Sequence, residues 1–200
     1  MSRTIRAFLA VTVSADAKDV LSGIRDKLSS SELHGLKLVD PTRIHLTIKF
    51  LGKVSVDDIE RVTEATCSIA ADYKPFTLKL QGVGVFPSVR RANVLWVGLA
   101  GDLLILKQLT VDVNTELASL GIDPEKRFSP HLTVARIAKN VSPIDRRRAV
   151  DRLFSITPEP ALVPVSSINI MSSTLHRLSL IHISEPTRRY AISYAVFCLK

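Results

Sequence analysis

An α+β fold with antiparallel sheets is predicted for this chain of 200 residues. Runs with the two-residue period of strands alternate with runs of helical period, and no glycine-rich phosphate loop follows any strand. The tripeptide His-Leu-Thr occurs twice, at residues 45–47 and 131–133, and each copy lies inside an alternating apolar run. This repeat predicts two similar lobes, each with one sheet and its flanking helices.

Periodicity and capping residues define the elements of the first half. Strands are predicted at residues 6–13, 44–50, 76–80 and 94–99. Ser14 is placed to cap a helix whose apolar positions recur every three or four residues up to Leu28. Ser55 and Asp58 resemble a capping box, which opens a second helix that runs to Ile69. The second strand carries the first His-Leu-Thr.

The second half shows the same succession of patterns. Apolar residues recur with helical spacing over residues 103–120, and Gly121 ends that helix. The second His-Leu-Thr predicts a strand after Pro130. Ser142 and Pro143 are placed as cap and first residue of a short helix. Prolines interrupt the chain at residues 158, 160 and 164, and a strand is predicted at residues 165–171.

Residues 178–200 resemble the translated sequence of a transposase-type adapter from DNA sequencing libraries. Residues 178–188 follow one end of such an adapter in order, and residues 192–200 follow its flow-cell end. We therefore expect a single bilobal domain over residues 1–177, without its C-terminal strand, and an artefactual tail over 178–200. The residues from Tyr190 to Val196 nevertheless alternate like a strand, so the tail can join a sheet.

Composition and charge narrow the class of protein. The formal net charge is +8, and three basic residues and one acidic residue lie in the tail, so the remainder carries +6. An anionic partner is favoured, and nucleic acid is the obvious candidate. No apolar run approaches a membrane helix, which predicts no membrane partner. Cys67 and Cys198 form no motif, which is typical of a reduced, cytoplasmic protein.

The two His-Leu-Thr strands supply the groups for acid–base chemistry. Residues i and i+2 share a face of a strand, so each histidine lies beside its threonine while the leucine points to the core. One imidazole can be neutral while the other is protonated near pH 7. No Cys, His, Asp or Glu group has metal-ligand spacing, so we expect neither metal nor cofactor. The alternative is two ordinary strands with polar outer faces.

Strict alternation also assigns the neighbouring residues to a face. Lys49 shares the face of His45 and Thr47 and is a candidate for phosphate contact, whereas Phe50 is expected in the core with Leu46. Arg136 falls on the leucine side, although a bend at the strand end can bring it to the site. Four more positions complete the expectations: Arg90 and Arg91 in a turn as RNA contacts, and Phe86 and Trp96 in the core.

The residues around both tripeptides resemble the signature motifs of a known superfamily. RIHLTIKFLG at 43–52 and SPHLTVAR at 129–136 resemble the paired motifs of the 2H phosphoesterases. Within that superfamily the chain is similar to the bacterial and archaeal RNA 2′,3′-cyclic phosphodiesterases, once called 2′-5′ RNA ligases. Residues 86–88, 90–92 and 94–98 also resemble that branch, and the likeness covers about residues 3–175.

The resemblance implies two lobes related by a pseudo-twofold axis, with the motifs facing each other across a central cleft. It also implies hydrolysis of a terminal RNA 2′,3′-cyclic phosphate to a 2′-phosphate. By analogy His45 is the acid and His131 the base, and Thr47 and Thr133 hold the phosphate. We expect a monomer that binds RNA. The alternatives are a ligase that joins RNA halves through 2′-5′ linkages and a non-catalytic RNA-binding module.

Overall fold

The architecture is that of a computed structural model, which describes residues 4–30, 33–125, 127–175 and 188–199. The described strands are β1 (Thr4–Thr12), β2 (Leu36–Leu38), β3 (His45–Ser55), β4 (Phe76–Phe86), β5 (Val94–Gly101), β6 (His131–Ile137), β7 (Leu162–Val165), β8 (Ser167–Leu175) and β9 (Arg188–Cys198). The described α-helices are α1 (Ala15–Ser29), α2 (Val56–Ala70), α3 (Leu103–Ser119) and α4 (Pro143–Phe154). Short 3₁₀ turns occupy Pro41–Arg43 and Val89–Arg91.

Two antiparallel sheets form the frame of the protein. The first sheet has the strand order β3-β1-β8-β9, and the second has the order β2-β6-β5-β4-β7. Each sheet contains one His-Leu-Thr strand, β3 in the first and β6 in the second. The predicted α+β class with two antiparallel sheets is therefore confirmed.

Three serines begin helices as their sequence context predicts. Ser14, Ser55 and Ser142 are the N-caps of α1, α2 and α4, and each side chain accepts a hydrogen bond from a backbone N–H of the first turn. In the capping box of α2, the hydroxyl of Ser55 also lies 2.6 Å from the carboxylate of Asp58. Such a cap is worth about 1 kcal/mol because it satisfies an N–H that the helix leaves unpaired.

Two strands of the second sheet are not predicted from the sequence. β2 spans three residues, which is too short for an alternating pattern to be visible. β7 contains Pro164, which a sequence pattern treats as a strand breaker. The sheet tolerates this proline because β7 is an edge strand. No strand lies on its outer side, so a missing N–H there removes no hydrogen bond of the sheet.

Fully buried apolar side chains fix both motif strands to the hydrophobic core. Leu46 and Ile48 of β3, and Leu132 and Val134 of β6, expose one per cent of their surface or less. Truncating such a leucine to alanine costs about 2–5 kcal/mol. The opposite face of each strand is thereby held toward the cleft.

A β-bulge interrupts the alternation in each motif strand at the same position. Ile48 is an extra residue of β3 relative to β1, and Val134 is an extra residue of β6 relative to β5. Beyond each bulge the faces are exchanged, because one inserted residue reverses the parity of the side chains. Lys49 is buried and Phe50 is 60% exposed, so the faces predicted for both by strict alternation are wrong.

Residues 188–198 form strand β9, which pairs antiparallel with β8 at the edge of the first sheet. This pairing agrees with the strand-like alternation of residues 190–196 in the sequence. The adapter origin of residues 178–200 and the domain boundary at 177 stay predictions, which the nucleotide sequence of the source gene would check. Among the residues that the structure describes, no helix is both long and apolar enough to cross a bilayer.

Candidate active site

The two histidines are held by the same local arrangement. His45 and His131 are the first residues of β3 and β6. The Nδ1 atom of His45 lies 2.8 Å from the carbonyl oxygen of Arg43, and that of His131 lies 2.7 Å from the carbonyl oxygen of Ser129. Since a carbonyl only accepts, each Nδ1 carries a hydrogen, and in a neutral ring Nε2 presents its lone pair.

The segments before the histidines fix these carbonyl groups. Pro41–Arg43 forms a 3₁₀ turn that Asp40 caps, with its carboxylate accepting from the backbone N–H of Thr42 at 3.0 Å. Hydrogen bonds from the side chain and backbone of Thr42 hold the pKa of the Asp40 carboxyl below its ordinary value. In the second motif Pro130 precedes the histidine and restricts the preceding Ser129 to an extended conformation. Both turns therefore present a rigid carbonyl two residues before the ring.

The threonines lie on the same faces as the histidines, ahead of the bulges. Thr47 and Thr133 are half-buried, like the two histidines. Thr47 pairs across the sheet with Ala10, and Thr133 pairs with Trp96. Each motif thus places one imidazole and one hydroxyl side by side toward the cleft.

The two motifs lie close enough to interact electrostatically. β3 and β6 come into contact although they belong to different sheets. A positive charge on His131 lowers the pKa of His45, and the guanidinium of Arg136 lowers the pKa of both histidines. His45, His131 and Arg136 therefore belong to one constellation.

Burial is the largest cause that lowers the pKa of each histidine below the ordinary value of 6.5. The hydrogen bond to the carbonyl of Arg43 or Ser129 acts in the opposite direction, because it favours the charged ring. The neighbouring cations add to the lowering. Because the repulsion between two imidazolium ions is mutual, double protonation of the free site is disfavoured.

Aromatic rings lie against both histidines. Phe8 stacks on the ring of His45, with centroids 4.8 Å apart and planes at 28°. Phe86 meets the ring of His131 edge-on at 4.9 Å and 84°, and Trp96 lies 6.4 Å from the same ring. Phe86 and Trp96 are half-buried, so their expected place in the core is wrong. These rings provide the apolar surroundings that lower the histidine pKa values.

A glycine allows the indole to lie flat on the second sheet. Gly84 of β4 pairs with Trp96 of β5. A Cβ atom at Gly84 would lie 2.2 Å from the indole ring, well inside any real contact. A side chain at this position would therefore displace the indole from its place beside His131.

The bulges bring two unlike side chains to the cleft face. Phe50 and Arg136 each lie five residues after a histidine, and both are exposed on the face of that histidine. The ring of Phe50 lies 6.2 Å from that of Phe8, which in turn stacks on His45. The bend that could bring Arg136 to the site is therefore the bulge at Val134.

The other predicted contacts lie elsewhere. Lys49 points away from the cleft and donates from Nζ to the backbone carbonyl of Asp123. Arg90 and Arg91 are exposed in the 3₁₀ turn after β4, close in sequence to Phe86. The guanidinium of Arg146 supports this turn through the carbonyl of Ala92 and, at 3.0 Å, the side chain of Asn93.

Sequence reasoning missed Phe8 altogether. Its strand is predicted, but its face is shared with small and polar residues, so nothing marks it as a neighbour of the site. If the register between β1 and β3 were known, the pairing of Phe8 with Phe50 would mark Phe8 as a neighbour of the site. Within the described ranges, His, Cys, Asp and Glu form no group of three or more that would suit a metal ion.

Comparisons with known proteins agree with this geometry. Residues 11–96 match the model of the LigT-like phosphoesterase family. The chain is 32% identical over 176 residues to an RNA 2′,3′-cyclic phosphodiesterase of Methanothermobacter thermautotrophicus, covering 88% of this chain and 91% of the relative. It is 31% identical to the protein of that name from Aquifex aeolicus, over 86% and 90% of the two chains.

Solved structures show the same fold. The crystal structure of E. coli LigT complexed with 3′-AMP superposes with a TM-score of 0.73 at 22% identity, over 98% of this chain and 99% of that chain. TT0787 of Thermus thermophilus also gives a TM-score of 0.73, at 21% identity and 98% coverage of both chains.

Proposed function

We propose that this chain, which belongs to the LigT-like phosphoesterase family, hydrolyses RNA 2′,3′-cyclic phosphate ends to 2′-phosphomonoesters. The observation that carries the proposal is the contact between β3 and β6, two strands from different sheets, each of which carries an imidazole beside a threonine. One such pair is a common strand surface. Two that face each other provide an acid, a base and two hydroxyl donors for one phosphodiester.

Binding of the cyclic phosphate involves the hydroxyl groups and the guanidinium. The hydroxyls of Thr47 and Thr133 donate to the two non-bridging oxygens, on which negative charge grows in the transition state. Arg136 adds a positive charge near both histidines. Since the ring nitrogens that face the cleft are the Nε2 atoms, the phosphorus lies between two Nε2 atoms.

The reaction requires two proton transfers. Nε2 of neutral His131 accepts a proton from water as the water oxygen bonds to phosphorus. The bond between phosphorus and the 3′-oxygen breaks, and protonated His45 donates its Nε2 proton to that oxygen. The product is a 2′-phosphate with a free 3′-hydroxyl, and exchange with solvent restores the two protonation states. Such acid–base assistance contributes about 10²–10⁴-fold in rate. We assign acid and base by resemblance to the family, and no metal takes part in the proposed steps.

The substrate supplies the charge that the free site lacks. Burial and neighbouring cations disfavour a proton on either ring in the free protein, so their pKa values are lowered. The phosphodiester carries one negative charge, which favours the protonated form of an adjacent imidazole. Binding therefore prepares one acid and leaves one base.

The exposed side chains around the site suit an RNA end. Phe50 offers a ring for stacking on a base, a contact that tolerates any sequence. In this proposal the exposed Arg90 and Arg91 contact backbone phosphates, and the net charge, +8 for the whole chain and +6 without residues 178–200, favours a polyanion.

The test is hydrolysis of an oligonucleotide with a 2′,3′-cyclic phosphate end, in EDTA. We expect the wild type to form only the 2′-phosphate and the His45→Asn/His131→Asn variant to form none above background, with unchanged thermal stability at neutral pH. The proposal fails if both proteins are equally inactive. RNA binding that survives loss of both histidines, without turnover, would instead indicate a binding module. Joining of a cyclic-phosphate half to a 5′-hydroxyl half, in preference to hydrolysis, would indicate a ligase.

A further inference from the structure

Lys49 is the one charged side chain that is fully buried among the residues the structure describes, with 0% of its surface exposed. Removing an ammonium group from water is costly unless it is paired and hydrogen-bonded. The lysine follows the first histidine by only four residues, yet it takes no part in the proposed chemistry. A costly group this close to the site suggests a second role.

The partners of Lys49 come from the loop that leads to the second motif. Its Nζ donates to the backbone carbonyl of Asp123. Burial lowers the pKa of the ammonium, whereas the carboxylates of Glu125 and Asp123 raise it. The next residue adds a second tie, because the backbone N–H of Phe50 donates to Oε1 of Glu125 at 2.9 Å. Two consecutive residues of β3 therefore hold one loop.

Open space borders this loop on two sides. A cavity of about 500 Å³ borders it beside Gly121 and Asp123, and another of about 630 Å³ borders it beside Glu125. A further tie is the backbone N–H of Glu125, which donates to Oδ1 of Asn114 on α3 at 2.9 Å. Ile122 and Phe128 pack against the core near the two ends of the loop, and the polar ties hold Asp123 and Glu125 between them.

A reciprocal tie joins the two motifs in the opposite direction. The backbone N–H of Val39 donates to the carbonyl of Val134 at 2.9 Å. Val39 lies six residues before His45, and Glu125 lies six residues before His131. Each motif strand thus holds the loop that precedes the other motif. The tie through β6 uses backbone groups alone, whereas the tie through β3 depends on side chains and is open to substitution.

We infer that Lys49 and Glu125 are positioning residues, which tie the strand of the first motif to the loop before the second and so set the separation of the two imidazoles. They touch neither water nor phosphate in the proposed reaction. Without the tie, the two motifs separate and the two imidazole rings become more hydrated. No group that takes part in the proposed chemistry is removed. The consequence for catalysis rests on the proposed function, but the consequence for the rings does not.

The first experiment therefore needs no substrate. The ring resonances of His45 and His131 are titrated by NMR in the wild type, Lys49→Met and Glu125→Ala. Lys53→Met is the control, because Lys53 is exposed on the same strand. We expect both titration midpoints to rise toward 6.5 in the two tie variants, since hydration and separation weaken the effects that lower them. Midpoints equal to those of the control in both variants would overturn the inference.

The second experiment measures turnover per folded molecule. A small misplacement of catalytic groups lowers the rate by roughly 10–100-fold. We expect kcat to fall by that factor in Lys49→Met and Glu125→Ala, with KM changed far less than kcat and Lys53→Met unaffected. A loss that merely follows the unfolded fraction would refute a positioning role. If Lys49→Met does not fold, Glu125→Ala decides the question, because Glu125 is only half-buried. If the wild type hydrolyses no cyclic phosphate, the proposed function fails and the NMR titration still tests the tie.

Discussion

The two motif strands share one design as far as the bulge and then diverge. In both, the histidine is the first residue of the strand and its Nδ1 is bonded to the carbonyl two residues earlier. In both, the threonine follows on the same face and an extra residue then reverses the parity. The next two positions are Lys49 and Phe50 in β3 but Ala135 and Arg136 in β6.

The shared and the unlike residues of the two motif strands have different proposed roles. In the proposed reaction the shared positions flank the phosphate with one imidazole and one hydroxyl on each side. Of the unlike positions, Phe50 and Arg136 lie on the histidine faces, so an aromatic ring is exposed on one strand and a guanidinium on the other. A pseudo-twofold site can thus handle a substrate that has no symmetry, with a base at one end and a charged phosphate at the other.

The largest expected effect would show whether the symmetric histidines have different roles. Replacing either with asparagine should lower kcat/KM by about 10²–10⁴-fold. A cyclic phosphate with sulfur in place of the bridging 3′-oxygen has a leaving group that needs no proton. We expect this substrate to restore much of the rate to His45→Asn but not to His131→Asn, measured by steady-state hydrolysis.

The control is His34→Asn, because His34 is exposed and lies outside both motifs. The reverse pattern of rescue would exchange the acid and the base. If the sulfur substrate restored the rate of both variants equally, the two histidines would not have separate acid and base roles.

Arg136 is the next largest test, since it affects both histidines. Arg136→Met removes a charge from the transition state, which typically costs about 10²-fold in kcat. It should also raise the pKa of both imidazoles, because the guanidinium lowers them in the wild type. Steady-state kinetics over pH would measure both effects, with the exposed Arg148→Met as control. A variant with a normal rate and profile would place Arg136 outside the reaction.

Phe50, the counterpart of Arg136, should act on binding alone. Base stacking is worth about 1–3 kcal/mol by alanine substitution, so KM of Phe50→Ala should rise by roughly 5–150-fold with kcat nearly unchanged. A ribose 2′,3′-cyclic phosphate without a base serves as the matched substrate, and on it the variant and the wild type should be equal. A similar loss on both substrates would show that the ring supports His45 through Phe8 instead of binding a base.

The smallest expected effect is on stability below neutral pH. Both histidines have a lowered pKa in the folded protein, so the unfolded chain takes up protons first as the pH falls below about 6.5. The fold therefore loses stability from that pH downward to the lowered pKa values. His45→Asn/His131→Asn should lose less stability than the wild type as the pH falls through this range, in urea denaturation. Parallel pH dependences would contradict the lowered values.

Much of the fold could be predicted because hydropathy and capping agree along most of the chain. Ser14, Ser55 and Ser142 begin helices where the sequence places them. The pairing of each His with its Thr follows from parity, because both lie ahead of the bulge. The resemblance of the paired motifs to the 2H phosphoesterases identified the family.

The faces beyond the bulge could not be predicted, since hydropathy points the wrong way there. An inserted residue buries Lys49 and exposes Phe50, the reverse of what their polarity favours. The interaction that compensates for this reversal comes from Asp123 and Glu125, far along the chain beyond α2 and α3. Only the tertiary structure brings them together.

The packing of Trp96 over Gly84 has an optical consequence. The sequence contains one tryptophan, so all of the indole emission comes from this ring. Its centroid lies 6.4 Å from that of His131, and a protonated imidazole quenches indole fluorescence by accepting an electron from the excited state. We therefore expect the brightness of this indole to follow the charge of His131, which makes Trp96 an intrinsic spectroscopic reporter for that ring.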